Sequence, residues 1–262
     1  MAYKRGVAGY DTNVGAKRAR QYREELGLEP DEPLACLLAV VEQRAGIPVA
    51  VLEIADGFAG AYLRAAGRAT IFVHALDVPT RQRFSLAHEL GHHRLGHQPV
   101  IDTWEAMYAF DRPPEETQAN AFAAEFVAPR AGIERWLREH ARPPVNLDLV
   151  CRLSAHFGLS AESIRYRLAT IGVLKDRALA ARIDAEIRAR EHEALIAHLG
   201  LEYPDDELAR CHGKGPRLPA GAAAGMLGAL LRGATDTATA AALTGRDAAR
   251  LRHAVEDAGI PC

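Results

Sequence analysis

The chain has 262 residues, 48% of them apolar and 25% charged, with a formal net charge of −2. That length allows one large or two modest domains with a real core, and the charge balance excludes a molecule built as a whole to bind polyanions. The most apolar stretch, 218–231, is shorter than a bilayer span of ~18–20 residues, and Cys36, Cys151, Cys211 and Cys262 form neither a CxxC pair nor a secreted-type framework. With no basic-then-apolar leader at the start, the expectation is a reduced, cytoplasmic protein.

Residues 1–14 lack periodicity and read as a loose end, and 15–27, "GAKRARQYREELG", as a polar helix. Lys4, Arg5, Lys17, Arg18, Arg20 and Arg23 make this stretch locally basic, which a solvated helix face explains before any acidic partner does. Leu34–Gly46 carries apolar residues at helical spacing. "IPVAVLEI" is a strand candidate, and "GAYLRAAGRATIFVHA" reads as a hairpin turning at Ala65, Ala66 and Gly67. Asp77, Pro79 and Thr80 supply start signals for a helix that runs to about Gly96. Residues 97–114 read as a loop with at most a turn of helix. Pro114 opens and Pro129 closes another helix, and helical patterns follow at 131–140, 147–157, 160–171, 176–199, 219–232, 236–243 and 246–258.

The expected fold class is α+β: a small antiparallel or mixed sheet packed on helices, then an all-α C-terminal region with helix-turn-helix-like units. Three segments follow: an N-terminal basic extension or helix at 1–30, a main domain at 31–174 that includes a helix-turn-helix-like segment at 146–172, and an α-helical C-terminal domain at 175–262.

The stretch "FSLAHELGHHRLGH", 84–97, holds four of the 11 histidines of the chain. His88, Glu89, Leu90, Gly91 and His92 form HExxH. Four residues along a helix advance the chain by ~400° and ~6 Å, so the two imidazoles stack on one face. Spaced thus, they can grip one zinc ion, while Glu89, rotated by ~100°, reaches the activated water instead. The longer pattern HExxHxxGxxH fails, because Leu95 and Gln98 stand where its glycine and third histidine belong. His93 and His97 are therefore expected to be exposed rather than ligating.

A third ligand can come from the next helix, "EETQANAFAAEFVAP", which offers Glu115, Glu116 and Glu125. Glu116 and Asn120 share a face with Ala123 and Ala124, small residues that let two helices approach. Glu116 can complete the donor set, and Asn120 can accept the Nδ1–H of a ligand histidine. Glu115 lies off that face and Glu125 is expected to face solvent. On spacing alone, Glu116 is equally well explained as an acid favoured near a helix N-terminus.

"RQRFSLAHELGH", preceded by the strand "IFV" and followed by "EETQANAFAAEFVAP", resembles the ImmA/IrrE family of zinc metallo-endopeptidases over about residues 34–172. The resemblance implies a gluzincin-like Zn²⁺ site with ligands His88, His92 and Glu116 and catalytic Glu89. It also implies cleavage of a protein, typically a helix-turn-helix repressor, in regulatory proteolysis linked to transcription and stress response. Gln118 departs from the family's usual Glu. Many members begin with a repressor-type DNA-binding domain, for which the first 30-odd residues are too few.

A substrate in extended form can pair with a sheet edge, and Ile71, Phe72 and Val73, just before the metal helix, are the candidates for that edge. Tyr166 and His156, with Tyr108, are weak candidates for stabilising an oxyanion. "LSAHFGLSAESIRYRLATIGV" has helix-turn-helix grammar, with Gly158 at the turn and Ser160 as cap, and "GRDAARLRHAVEDAGI" repeats part of it. Arg165, Arg167, Arg250 and Arg252 can touch phosphates only if these helices read DNA; packing or substrate docking is the favoured expectation. A zinc-bound regulator without protease activity is the alternative, and a structural zinc site is disfavoured because only three ligands are visible.

Overall fold

The computed structural model describes residues 2–54, 57–65, 67–109, 111–201, 216–219, 221–222, 229–230, 232–244 and 247–257. Four strands, β1 (Val49–Leu52), β2 (Phe58–Ala65), β3 (Arg68–His74) and β4 (Val100–Thr103), form one mixed sheet in the order β1-β3-β2-β4. The expected hairpin is β2–β3, turning at Gly67, whose φ of +76° suits glycine. β3 lies inside the sheet. Val49, Ala50 and Val51 pair with Ile71, Phe72 and Val73 in parallel register, and Gly60, Ala61 and Tyr62 pair with Val73, Phe72 and Ile71 from the other side. The expectation that Ile71, Phe72 and Val73 form an open edge is therefore corrected. Both rows of their backbone groups already have partners, so no substrate strand can add there.

The outer edge of β1 is met at one residue, where Val51 and Arg217 exchange backbone hydrogen bonds of 2.8 and 2.7 Å. Pro216 and Pro219 flank this contact, and proline cannot donate to a longer ladder. The other edge is β4, which arises inside the stretch expected to be a loop. Phe58 pairs with Thr103 and Gly60 with Asp102, so Ala59 is an extra residue in β2, a bulge. β4 is followed at once by α4 (Trp104–Tyr108), capped by the Thr103 hydroxyl, which accepts from Ala106 N at 3.2 Å.

The sheet packs on helix α3 (Pro79–Leu95), which packs in turn against α5 (Pro114–Val127), and α5 against α1 (Ala2–Glu25), with α2 (Leu37–Ala39) leading into a π-helical turn, Val40–Arg44. Residues 2–14 are thus helical rather than a loose end. Around these stand α6 (Arg130–Glu139), α7 (Leu147–Phe157), α8 (Ala161–Thr170), α9 (Arg177–Arg188) and α10 (Glu191–His198). The expected single helix at 176–199 is broken at Arg190, whose φ is +61°. One buried core holds Ala19 and Tyr22 of α1 together with Ile183 and Ile196 of α9 and α10, so the core runs across the expected divisions at 30 and 174. The last described helices, α11 (Thr237–Thr244) and α12 (Ala248–Asp257), share a small separate cluster of Leu230, Ala240 and Leu251. The helix expected at 219–232 lies largely outside the described residues. No described helix is long and apolar enough to cross a membrane. Cys151 is a free buried thiol.

The α7–α8 unit follows the expected grammar. Gly158 ends α7 in the left-handed region, and the Ser160 hydroxyl accepts from Ser163 N at 3.2 Å. Ile164 and Leu168 are buried. The arginines do not face outward as phosphate contacts would require. Arg165 pairs with Asp184, and Arg167, 5% exposed, pairs with Glu125 and donates to the Ala128 carbonyl at 3.0 Å. Glu125, expected to face solvent, is thus a buried anchor between α5 and α8, and it also meets Arg20 of α1 at 3.4 Å. Arg250 and Arg252 are exposed on α12.

Removing one side of the Arg167–Glu125 pair leaves a charge stranded in the core. Arg167→Met is expected to lower the free energy of unfolding by about 3–5 kcal/mol, and the exposed Arg250→Ala by no more than about 0.5 kcal/mol. Urea titration of both variants checks this, and equal small effects would contradict the packing role.

Candidate metal centre

Helix α3 carries His88 and His92 one turn apart, and both are almost fully buried. Their Nε2 atoms face each other at 2.9 Å. Helix α5 can lie this close because Gly91 has no side chain: a Cβ there would sit 3.1 Å from the Phe122 ring. Glu116, in the first turn of α5, then reaches both imidazoles, with Oε2 3.2 Å from His88 Nε2 and Oε1 3.3 Å from His92 Nε2. A fourth group arrives from β4. Asp102 is 2% exposed, and its Oδ2 lies 3.5 Å from each of the two Nε2 atoms. Donor atoms of His88, His92, Asp102 and Glu116 all fall within 4.8 Å of one another.

Each imidazole is held from behind. His88 Nδ1 meets Asn120 Oδ1 at 3.1 Å, while Asn120 Nδ2 donates to the Met107 carbonyl of α4 at 2.9 Å, which fixes the amide orientation. His92 Nδ1 meets His97 Nδ1 at 3.0 Å, His97 Nε2 meets Gln118 Oε1 at 3.2 Å, and Gln118 Nε2 donates to Asp11 Oδ1 at 2.9 Å. Donors along this chain are complete when His92 carries its proton on Nδ1 and His97 on Nε2. Both Nε2 lone pairs then point into the cluster, as metal ligation needs.

Glu89 is fully buried against β2. A Cβ on Gly60 would lie 2.4 Å from Glu89 Oε1, and Gly60 is the strand partner of Asp102. Neither Glu89 oxygen has a hydrogen-bond donor, and neither do Asp102 Oδ2 and Glu116 Oε2. Burial pushes the Glu89 carboxyl well above its ordinary range, and the neighbouring Asp102 and Glu116 push it further, against His88. For His88, burial alone would lower the pKa, but Asp102 and Glu116 outweigh it and raise the value to about 10. Burial would raise Glu116, yet the two imidazoles hold it far below the usual carboxylate range.

Other expected positions fall elsewhere. Neither His93 nor His97 is exposed: His93 Nδ1 meets the Tyr62 hydroxyl at 3.2 Å, and His97 supports His92 as described. Glu115 is exposed, as its place on the helix requires. Tyr166 is 54% exposed and lines a cleft of about 410 Å³ together with Phe84, Arg112 and Asn120, on the α5 side of the site. His156 packs edge-on against Phe157 with Arg135, Glu32 and His140 as its charged neighbours; the fold does not bring it to the cluster. The Tyr108 side chain lies outside the described residues. Asp102 is the group that sequence reasoning missed, together with Asp11, Gln118 and His97 behind His92.

Two bare nitrogen lone pairs facing each other beside buried acids repel unless a proton or a metal cation lies between them. Two imidazoles and carboxylate oxygens, with no thiolate, form a donor set suited to a divalent ion such as zinc. In chelator-treated protein, the raised His88 pKa contributes stability that is whole below about 6.5 and is lost as pH rises through about 10. Glu89 acts in the same direction, since its neutral form is the one that burial favours. The unfolding free energy of metal-free protein is therefore expected to fall as pH rises across that window, and His88→Gln to remove much of the fall. Chelated wild type that gains stability over this window would contradict the charge assignment.

Comparison with curated proteins finds no match. Residues 42–169 match the peptidase M78 family, described as an IrrE N-terminal-like domain. That span runs from before β1 to the last turn of α8 and includes every donor of the cluster, so this part of the chain is similar to a metallopeptidase family, the one that the HELGH helix and the EETQAN helix resemble.

Proposed function

We propose that the protein is a zinc-dependent endopeptidase of the cytoplasm that performs regulatory proteolysis, cutting a helix-turn-helix repressor at one or few sites in response to stress. One observation carries the reading: a buried carboxylate without any donor, Glu89, stands beside a convergent His88, His92 and Glu116 set. The repressor, the stress response and the compartment rest on the family resemblance and the sequence.

His88 and His92 would hold the ion through Nε2 and Glu116 through its carboxylate, with Asn120 fixing the His88 ring. Bound zinc supplies a Lewis acid for the scissile carbonyl and lowers the pKa of water toward ~7. Glu89 takes the proton from the attacking water and delivers it to the departing amine. Burial suits the second step, because a carboxyl pushed above its ordinary range holds the proton until it is delivered; the first step needs the ionised form, which a bound cation beside it would favour. Tyr166, in the cleft beside Asn120, remains the candidate to meet the developing oxyanion.

A second reading draws support from Asp102. The disfavour toward a structural site rested on there being only three ligands, and Asp102 is a fourth donor. A closed four-donor set suits an ion that only holds the fold. Glu89 speaks for the catalytic reading, since a purely structural site gains nothing from a buried acid that costs free energy to desolvate.

Glu89→Gln is expected to keep its zinc and to lose hydrolysis of a quenched-fluorescent peptide library by about 10²–10⁴-fold. Glu116→Ala is expected to lose zinc in elemental analysis of the purified protein. Wild-type turnover in Glu89→Gln would exclude the proposed base, and full zinc in Glu116→Ala would exclude the proposed ligand.

A further inference from the structure

We propose that Asp102 is a fourth, displaceable ligand that closes the metal site in the resting protein, so that the peptidase is latent until β4 shifts. The latency rests on the endopeptidase reading above; the ligand assignment needs only that the site holds a metal.

The distances carry the assignment. Four donors placed 2.0–2.2 Å from a central zinc ion at tetrahedral angles are separated by about 3.3–3.6 Å. The separations found are 2.9 Å between His88 and His92, 3.2 and 3.3 Å from these to Glu116, and 3.5 Å from each of them to Asp102 Oδ2. Asp102 Oδ2 is equidistant from the two nitrogens and buried without a donor. It stands at tetrahedral spacing from both nitrogens. A catalytic zinc keeps one position open for water, and an ion that takes Asp102 as its fourth ligand keeps none.

A permanent fourth ligand would make Glu89 pointless. Glu89 is fully buried beside Asp102 and neither of its oxygens has a hydrogen-bond partner, a state that costs free energy and that an incoming donor relieves. Water admitted to the position of Asp102 is that donor. Displacement is also mechanically selective. His88, His92 and Glu116 sit on α3 and α5, which are packed into the main core. Asp102 sits on a four-residue strand paired on one side only, next to the bulge at Ala59, with Ile101 67% exposed on its outer face. β4 is held in the sheet by β2 alone.

The test uses the full-length protein loaded with Co²⁺, as wild type, Asp102→Ala and Asp102→Asn, with acetohydroxamate as the probe of an open coordination position. The visible absorption of the wild type is expected to be indifferent to acetohydroxamate, and that of both variants to shift with it. Affinity for Co²⁺ in competition with a chromophoric chelator is expected to fall in Asp102→Ala by at least about 10-fold, as it does when even an outer partner of a ligand is lost. Peptide hydrolysis by the zinc forms is expected to rise above wild type. Equal spectra, equal affinities and equal response to the probe in all three proteins would overturn the proposal. Variants that open to acetohydroxamate but hydrolyse nothing would leave Asp102 as a ligand and remove the peptidase reading. Brisk hydrolysis by a wild type whose spectrum matches the variants would do the reverse. Asp102→Asn keeps the shape of the side chain and decides the matter if circular dichroism shows that Asp102→Ala does not fold.

Discussion

The structure is organised around a cluster of buried acids. Glu89, Asp102 and Glu116 are each no more than 5% exposed and converge on two imidazoles whose outward nitrogens are already engaged. Isolated carboxylates in a core are costly. Without a cation, His88 must take up a proton to compensate, which is why its pKa climbs to about 10. A divalent ion meets the same need with two charges in one place and turns a destabilising cluster into a binding site.

The rest of the fold can be understood as the means of assembling that cluster. Gly91 brings α5 against α3 so that an acid in the first turn of one helix meets a histidine pair on the other. Gly60 makes room for Glu89 under the sheet, and the bulge beside it sets the strand pairing that turns Asp102 inward. α1 contributes Asp11 to the far end of the hydrogen-bond chain behind His92, so the site is braced by a helix that begins outside the matched domain. Arg167 and Glu125 lock α8 to α5 on the opposite side. The helix-turn-helix-like unit thereby serves as packing for the metal helices, with two of its arginines consumed in ion pairs.

How much of this the sequence shows depends on how local each feature is. His88 and His92 follow from helical repeat alone, and Glu116 with Asn120 from the same repeat on the next helix. The caps at Ser160 and Gly158 are equally local. Asp102 is not. "VIDT" is short and mixed, its neighbours look like a loop, and a ligand on a strand stands at no fixed spacing from a helix. The position of β3 was illegible for a related reason: a strand's neighbours are set by pairing across the sheet, and β1 returns to it from 22 residues earlier in register. Arg165, Arg167 and Glu125 misled because charge suggests solvent, and only packing reveals that the charges meet each other. His97 looked like a failed ligand of a longer motif, whereas its role is to hold the ligand next to it.

The central claim is that two imidazoles and carboxylate oxygens surround one ion. X-ray absorption at the zinc edge of the purified native protein tests it most directly. The account predicts a first shell of nitrogen and oxygen near 2.0–2.2 Å, about four atoms in all, with the outer scattering that two imidazole rings produce. A zinc spectrum without imidazole scattering, or with a sulfur shell near 2.3 Å, would contradict it.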